Sequence, residues 1–151
     1  MSVSETFDLD RFLAIQEEKY DGVRVELGAG YKTGHWMWWI FPQAAGLGTS
    51  PTAQFYAIAS LGEAVAYAAH SVLGARLRAC AQLLLEVPDD SAQDILGQVD
   101  AMKLRSSMTL FQTAAPEEPL FAEVLHRFFG DSPDFATEQI LATWRSQSDE
   151  H

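Results

Sequence analysis

The sequence predicts an all-α fold, a compact single-domain bundle of about six to eight helices with one irregular aromatic segment. Apolar residues recur at the 3.6-residue spacing of helices along most of the chain, and the alternation typical of strands is scarce. Residue types that begin or end helices stand between these stretches. We therefore assign residues 1–145 to one helical domain and residues 146–151 to a flexible C-terminal tail.

The first helix is expected to begin at Asp8 or Asp10, since either aspartate is a suitable N-cap. Its apolar positions have helical spacing and are Phe12, Ile15, Tyr20, Val23 and Leu27. Gly28 and Gly30 are expected to end it. Residues 31–50 follow with a proline and several glycines, which predicts an irregular or short helical segment packed on the core.

Three helices are predicted between residues 52 and 85. A short one covers residues 52–58, and Ser60 with Glu63 forms a capping box that opens the next. His70 interrupts the pattern before a longer helix over residues 72–85. The apolar face of this longer helix consists of Leu73, Leu77, Cys80 and Leu84.

Four further helices are predicted, over residues 91–96, 100–111, 116–130 and 134–144. Ser91 and Asp100 are the expected N-caps of the first two, which Gly97 separates. Pro116 and Pro119 suit the first turn of the third helix, where a missing N–H has no consequence.

The composition is typical of a globular protein, with 48% hydrophobic and 21% charged residues in a chain of 151. The 21 acidic residues exceed the 10 basic ones, and the net charge of -11 disfavours general nucleic-acid binding and membrane binding. Cys80 is the single cysteine, which excludes an intramolecular disulfide. No signal peptide or bilayer-spanning apolar run is recognisable, so we expect a cytoplasmic protein.

The most informative stretch is HWMWWIFPQ, residues 35–43, which holds three of the four tryptophans. Each large aromatic side chain has roughly 150–250 Å² of surface to bury. The stretch therefore forms either a plug in the core or the wall of a binding pocket. We favour the pocket wall, because Leu, Ile and Val would fill a plain core and because polar residues accompany the tryptophans.

Other motifs are less specific. The segment GAGYKTG, residues 28–34, lacks the glycine directly before lysine and the preceding strand of a phosphate-binding loop. The histidines are too widely spaced to predict a metal site, and Cys80 lies on an apolar helix face. Asp100, Lys103 and Ser107 share one helix face, with Ser106 beside them. That face is either a solvated surface with one ion pair or part of a ligand site.

Together these stretches resemble the domain-of-unknown-function family eighteen-ten (DUF1810), whose members are often mislabelled calpastatin. The matching segments are FLAIQ, KTGHWMWWIFPQ, GLGTS, YAIASLGEAVAYAAHSVLGARL and DAMKLRSSMTLF. Small departures from the family pattern occur at Ile15, Trp39 and Ser71. The resemblance implies a mainly helical single domain and no established activity. The polar residues that match family motifs are Lys32, His35, Gln43, Ser50, Glu63, Tyr67, His70, Arg76, Asp100, Lys103, Ser106 and Ser107.

Because many of these groups would be costly to bury for packing alone, we expect them to line one pocket for a nucleotide- or ADP-ribose-like ligand. The expected ligand-binding residues are Lys32, His35, Trp36, Trp38, Gln43, Ser50, His70, Arg76, Ser106 and Ser107. If a reaction occurs, Glu63 or Asp100 is expected to act as the general base or to stabilise an oxocarbenium ion. Lys103 is then the expected electrophilic or Schiff-base residue. The segments LGARL and DAMKL are distantly similar to helical N-glycosidases that act on NAD and ADP-ribose. No cofactor or metal is expected.

Two other functions compete with this one. A non-enzymatic interaction module would use an exposed aromatic patch on an acidic domain, and His35, Glu63 and Lys103 would then not converge. A purely structural interpretation assigns the polar motifs to a hydrogen-bonded core, in which the substitution Lys103→Met lowers stability.

Overall fold

Nine helices account for most of residues 7–149, the part of the chain that the computed structural model describes. They are α1 (Asp10–Ala29), α2 (Met37–Ile40), α3 (Pro51–Phe55), α4 (Leu61–Ala69), α5 (Leu73–Glu86), α6 (Ala92–Leu96), α7 (Gln98–Ala114), α8 (Leu120–Phe129) and α9 (Phe135–Asp149). The all-α prediction is confirmed, with one helix more than the expected range. None of these helices is both long and apolar enough to cross a membrane.

Helix α1 ends as the sequence indicates but begins differently. Its N-cap is Leu9, which makes no side-chain capping bond, so neither Asp8 nor Asp10 caps it. Gly28 remains helical, and Gly30 ends the helix with a φ of 78° that favours glycine. Of the predicted apolar positions, those completely buried are Phe12, Val23 and Leu27.

Residues 31–50, which we call the aromatic segment, are irregular apart from the single turn of α2, as predicted. This segment packs on α1, α5 and α7. A short parallel bridge joins it to residue 58, because the Ile58 N–H donates to the Gln43 carbonyl over 2.9 Å and the Ala45 N–H donates to the Ile58 carbonyl over 2.8 Å. This bridge fixes the segment to the chain that leads into α4.

The predicted capping box at the start of α4 is present in part, because Ser60 is the N-cap but Glu63 accepts from the residue before it. Ser60 Oγ accepts the Glu63 N–H over 3.1 Å, and Glu63 Oε1 accepts the Ala59 N–H over 2.7 Å. At the other end of α4, His70 Nδ1 accepts the N–H groups of Val72 and Leu73 over 3.1 and 3.2 Å. His70 therefore supplies acceptors for the first turn of α5.

The predicted C-terminal helices are present, but their ends differ from the prediction. Helix α8 begins after its N-cap Pro119, so Pro116 lies outside the helix and not in its first turn. Ser91 caps α6 by accepting the Asp94 N–H, but the prediction that Asp100 caps the next helix is wrong. Gly97, with a φ of 92°, is the N-cap of α7, and Asp100 lies inside its first turn. Helix α9 continues through 146–149, which we had assigned to the tail, and residues 150–151 lie outside the described part.

Helix α7 occupies the centre of the fold and packs against α4, α6, α8 and α9. Its buried positions extend beyond a single stripe and include Leu104, Ser107 and Phe111. Ser106 and Ser107 are therefore inside the protein rather than on a solvated face. One continuous apolar cluster joins α7 to α1, the aromatic segment and α5.

Candidate functional site

Two lysines share one aspartate where the aromatic segment meets α7. Lys32 Nζ lies 2.6 Å from Asp100 Oδ2 and also donates to the Gly34 carbonyl, while Lys103 Nζ lies 3.6 Å from Asp100 Oδ1. The Lys32 N–H donates to the Ile95 carbonyl over 2.8 Å, which fixes the lysine beside α6 and α7. We call Lys32, Asp100 and Lys103 the lysine–aspartate cluster.

Each lysine of the cluster also lies over a tryptophan of the aromatic segment. Lys32 Nζ is 5.2 Å from the ring centroid of Trp36, and Lys103 Nζ is 4.5 Å from that of Trp38. Both distances are within the range of cation–π attraction. The structure thus brings together five of the predicted site residues, which are Lys32, Trp36, Trp38, Asp100 and Lys103. No ion pair or cation–π contact joins His35 to this cluster among the described residues.

Glu26 on α1 accepts hydrogen bonds from the same segment, and the sequence pattern did not predict this role. Its Oε1 atom accepts the Thr33 N–H over 2.6 Å, the Gly34 N–H over 2.9 Å and the Trp36 Nε1–H over 3.0 Å. Partial burial disfavours the charged form, but these bonds outweigh it and lower the pKa of Glu26. The available signal was a carboxylate one turn before a glycine-rich segment whose N–H groups need acceptors.

A groove of about 510 Å³ lies between α1 and the aromatic segment, and we call it the α1 groove. Its volume is within the range of small-molecule sites, about 300–1,000 Å³. The side chains and backbone that line it belong to Glu18, Lys19, Gly22, Val23, Glu26, Gly34, His35, Trp36 and Trp39. Among the predicted ligand-binding residues, His35 and Trp36 therefore share a cavity wall.

Trp36 and Trp39 are packed mainly in the core, although they also line the α1 groove. Trp36 and Trp39 are only 3% and 4% exposed, so they offer an edge rather than a free face to the groove. Trp38 is half-buried and lines a separate small hollow together with Gln43. The aromatic segment is thus packed into the core and also borders the α1 groove, and open stacking on Trp36 is not available.

Glu63 lies in a different environment from the cluster. Its Oε2 atom is 3.0 Å from Arg11 Nη1, and both side chains are almost completely buried. Arg11 also donates to the carbonyls of Phe55 and Ala57 over 2.8 and 2.9 Å. With Oε1 on the Ala59 N–H, the Glu63 carboxylate is fully used in holding the chain that enters α4.

Arg76 and His70 also have partners within the protein. Arg76 donates to Gln16 Oε1 over 3.3 Å and to Glu17 Oε1 over 3.2 Å, and its guanidinium lies 4.7 Å from the Tyr20 ring centroid. His70 supplies the acceptor at the start of α5 described above. Neither residue contacts the lysine–aspartate cluster or lines the α1 groove.

The three predicted serines are dispersed. Ser50 Oγ caps α3 by accepting the Ala53 N–H over 3.1 Å, on the surface. Ser106 Oγ donates to the Met102 carbonyl over 3.2 Å, inside its own helix. Ser107 Oγ is buried and has no hydrogen-bond partner among the described residues. Among the side chains that the structure describes, no three from His, Cys, Asp or Glu are arranged to hold a metal ion.

The lysine–aspartate cluster yields a stability prediction. Lys32→Met should lower the free energy of unfolding by about 2 kcal/mol, because a buried ammonium and its bond to the Gly34 carbonyl are lost. Lys103→Met should cost less than about 1 kcal/mol, because this pair is partly exposed and methionine keeps contact with Trp38. Urea unfolding of both variants measures the difference, and an equal or larger loss for Lys103→Met would favour the purely structural interpretation.

Comparison with known proteins places the chain in a family. It is similar to the conserved hypothetical protein Rv1873 from Mycobacterium tuberculosis, whose crystal structure superposes with a TM-score of 0.89. The two sequences are 46% identical over 91% of this chain and 98% of that one. No curated protein matches. A family model described as a protein of unknown function matches residues 6–141, and the chain therefore belongs to the DUF1810 family.

Proposed function

We propose that this protein binds a small molecule in the α1 groove. The observation that carries the proposal is the groove itself, a concavity of ligand size between α1 and the family's aromatic segment. It combines apolar edges of Trp36 and Trp39 with the polar groups of Glu26 and His35. Apolar walls with a few fixed polar groups are typical of ligand sites.

Gly22 supports the proposal because no neighbour requires a glycine there. It lies in the middle of α1, and a Cβ atom added to it would meet nothing within 4 Å. Glycine inside a helix costs about 0.5–1 kcal/mol relative to alanine. Since Gly22 lines the α1 groove, we interpret the missing side chain as space kept open for a ligand.

A nucleotide- or ADP-ribose-like ligand remains the proposed class. Its flat base would lie along the tryptophan edges, and Lys19 is the groove residue suited to an anionic group. His35 lies at the Glu26 end of the groove as a further polar group. Lys32 and Arg76 are less suited, because carboxylates already neutralise both. For an N-glycosidase-like reaction, Glu18 and Glu26 line the groove, whereas Glu63 and Asp100 are held in ion pairs.

The competing interaction module is less well supported. It needs tryptophans on the surface, and two of the three in the aromatic segment are almost completely buried. The cytoplasmic location expected from composition stays part of the proposal.

Filling the groove tests the proposal. We expect Gly22→Leu to raise the free energy of unfolding by roughly 0.5–1 kcal/mol and to abolish ligand binding, because the new side chain enters open space inside the groove. The ligands are found by thermal shift and tryptophan fluorescence with a panel of nucleobases, nucleosides, nucleotides and ADP-ribose.

Gly28→Leu is the matched control. Gly28 is also in α1 with nothing within 4 Å of an added Cβ, but it lines a separate groove with Val87 and Pro88. This variant should bind every ligand that the unmodified protein binds. If no member of the panel binds, or if Gly22→Leu and Gly28→Leu bind equally well, the α1 groove is not the site.

A further inference from the structure

The chemistry of Glu26 narrows the class of ligand, an inference that rests on the proposed function of the α1 groove. We infer that the ligand presents a flat nitrogen group with N–H donors, of the amidinium or nucleobase type, to Glu26 Oε2. An anionic group would then lie at the other end of the groove, away from Glu26. The inference follows from the hydrogen bonds of Glu26 and from the charges that line the groove.

The two carboxylate oxygens of Glu26 differ in their partners. Oε1 accepts three hydrogen bonds from the aromatic segment, so its acceptor capacity is used within the protein. No backbone or indole N–H of the residues that the structure describes donates to Oε2, although the Thr33 side chain also lies close enough to the carboxylate to help lower its pKa. The three bonds hold the carboxylate in one orientation, so a donor that reaches Oε2 meets a group that is already positioned.

The charged side chains that line the groove favour a ligand with hydrogen-bond donors over a ligand with anionic acceptors. Its lining carries two carboxylates, Glu18 and Glu26, against one ammonium group, Lys19. The protein as a whole is also strongly acidic, with a net charge of -11. A carboxylate or phosphate placed beside Glu26 would be repelled, whereas an N–H donor gains a charge-assisted hydrogen bond.

The positions along α1 allow a ligand with two different ends. Lys19 and Glu26 are seven residues apart, which is roughly 10 Å at the helical rise of 1.5 Å per residue. A nucleotide-like molecule can therefore place the donor edge of its base at Glu26 and its anionic part toward Lys19. The reverse orientation brings like charges together at Glu26.

Three probes of the same shape test whether the groove prefers a donor or an acceptor at Glu26. Benzamidine, benzamide and benzoate each carry one flat ring and differ in whether the polar head is a cationic donor, a neutral amide or an anionic acceptor. Titration calorimetry on the unmodified protein should show benzamidine binding at least about tenfold more tightly than benzoate, because a charge-assisted hydrogen bond replaces repulsion.

The substitution Glu26→Gln replaces the acceptor Oε2 by an NH2 group, which is a donor. The remaining oxygen can still accept from the Thr33, Gly34 and Trp36 donors. We expect it to weaken benzamidine about tenfold and to leave benzamide within about threefold. Glu117→Gln is the control, since Glu117 is exposed in the chain before α8 and the change in net charge is the same. It should bind all three probes like the unmodified protein.

The outcomes separate this inference from the proposed function. Benzoate binding as tightly as benzamidine overturns the inference, as does unaltered benzamidine binding by a folded Glu26→Gln variant or the absence of benzamidine binding. The α1 groove remains the site in each case if Gly22→Leu abolishes binding of a panel member. If Gly22→Leu has no effect on any ligand, the proposed function fails as well.

Discussion

Replacing Arg11 by methionine is expected to lower the free energy of unfolding by about 3–5 kcal/mol, the range for breaking a buried ion pair from one side. Glu63 is buried beside Arg11 and would retain a single backbone donor, the Ala59 N–H. The carbonyls of Phe55 and Ala57 would lose the guanidinium donors that now satisfy them. Urea unfolding followed by tryptophan fluorescence measures the change.

A double-mutant cycle identifies the cause. Glu63→Gln alone should also destabilise, and the double variant Arg11→Met, Glu63→Gln should lose at least about 1 kcal/mol less than the sum of the two. An additive cycle, or a loss below 1 kcal/mol for Arg11→Met, would mean that the pair contributes no more than an exposed one. Because Glu63 does not line the α1 groove, Glu63→Gln should leave ligand binding unchanged if the variant is folded.

The example of Glu63 shows what local sequence can predict. The cap in which Ser60 accepts the Glu63 N–H depends on residues three apart and is present as expected. The ion pair of Glu63 with Arg11 joins residues 52 positions apart, and no local spacing indicates it. The Arg11–Glu63 ion pair forms because the fold places α1 beside the chain that enters α4. The local sequence therefore predicts the cap but not the ion pair.

Charged residues in motifs were predicted to converge on a ligand, and most of them converge on each other. Lys32 and Lys103 meet Asp100, and Arg76 meets Glu17. Composition shows which charges the chain contains, but their pairing depends on tertiary contacts. The α1 groove escaped prediction for a related reason, because Glu26 and Gly22 belong to no recognisable motif.

Asp100 illustrates a third kind of difference. An aspartate near the start of a helix is acceptable both as an N-cap and inside the first turn, where it still interacts favourably with the helix dipole. The structure begins α7 earlier, at Gln98, because Gly97 adopts a φ of 92° after the short helix α6. The register of Asp100 is therefore set by a glycine, and it directs the carboxylate to Lys32.

The substitution with the second largest expected effect is Gly74→Ala, which we expect to lower the free energy of unfolding by about 3 kcal/mol. A Cβ atom at Gly74 would lie 2.1 Å from the Ala68 carbonyl oxygen and 2.9 Å from its carbon, both backbone atoms. The clash also displaces the oxygen that accepts from Arg78 Nη1 over 2.7 Å. Thermal and urea unfolding measure the loss.

The direction of this effect opposes helix propensity, which makes it diagnostic. Alanine normally stabilises a helix by about 0.5–1 kcal/mol relative to glycine, and Gly22→Ala in the open part of α1 should show that gain. A Gly74→Ala variant as stable as the unmodified protein would mean that α4 and α5 separate readily at this turn. A large loss of stability would show that close backbone packing requires the glycine of the LGARL segment. No role in ligand binding is then needed to explain this glycine.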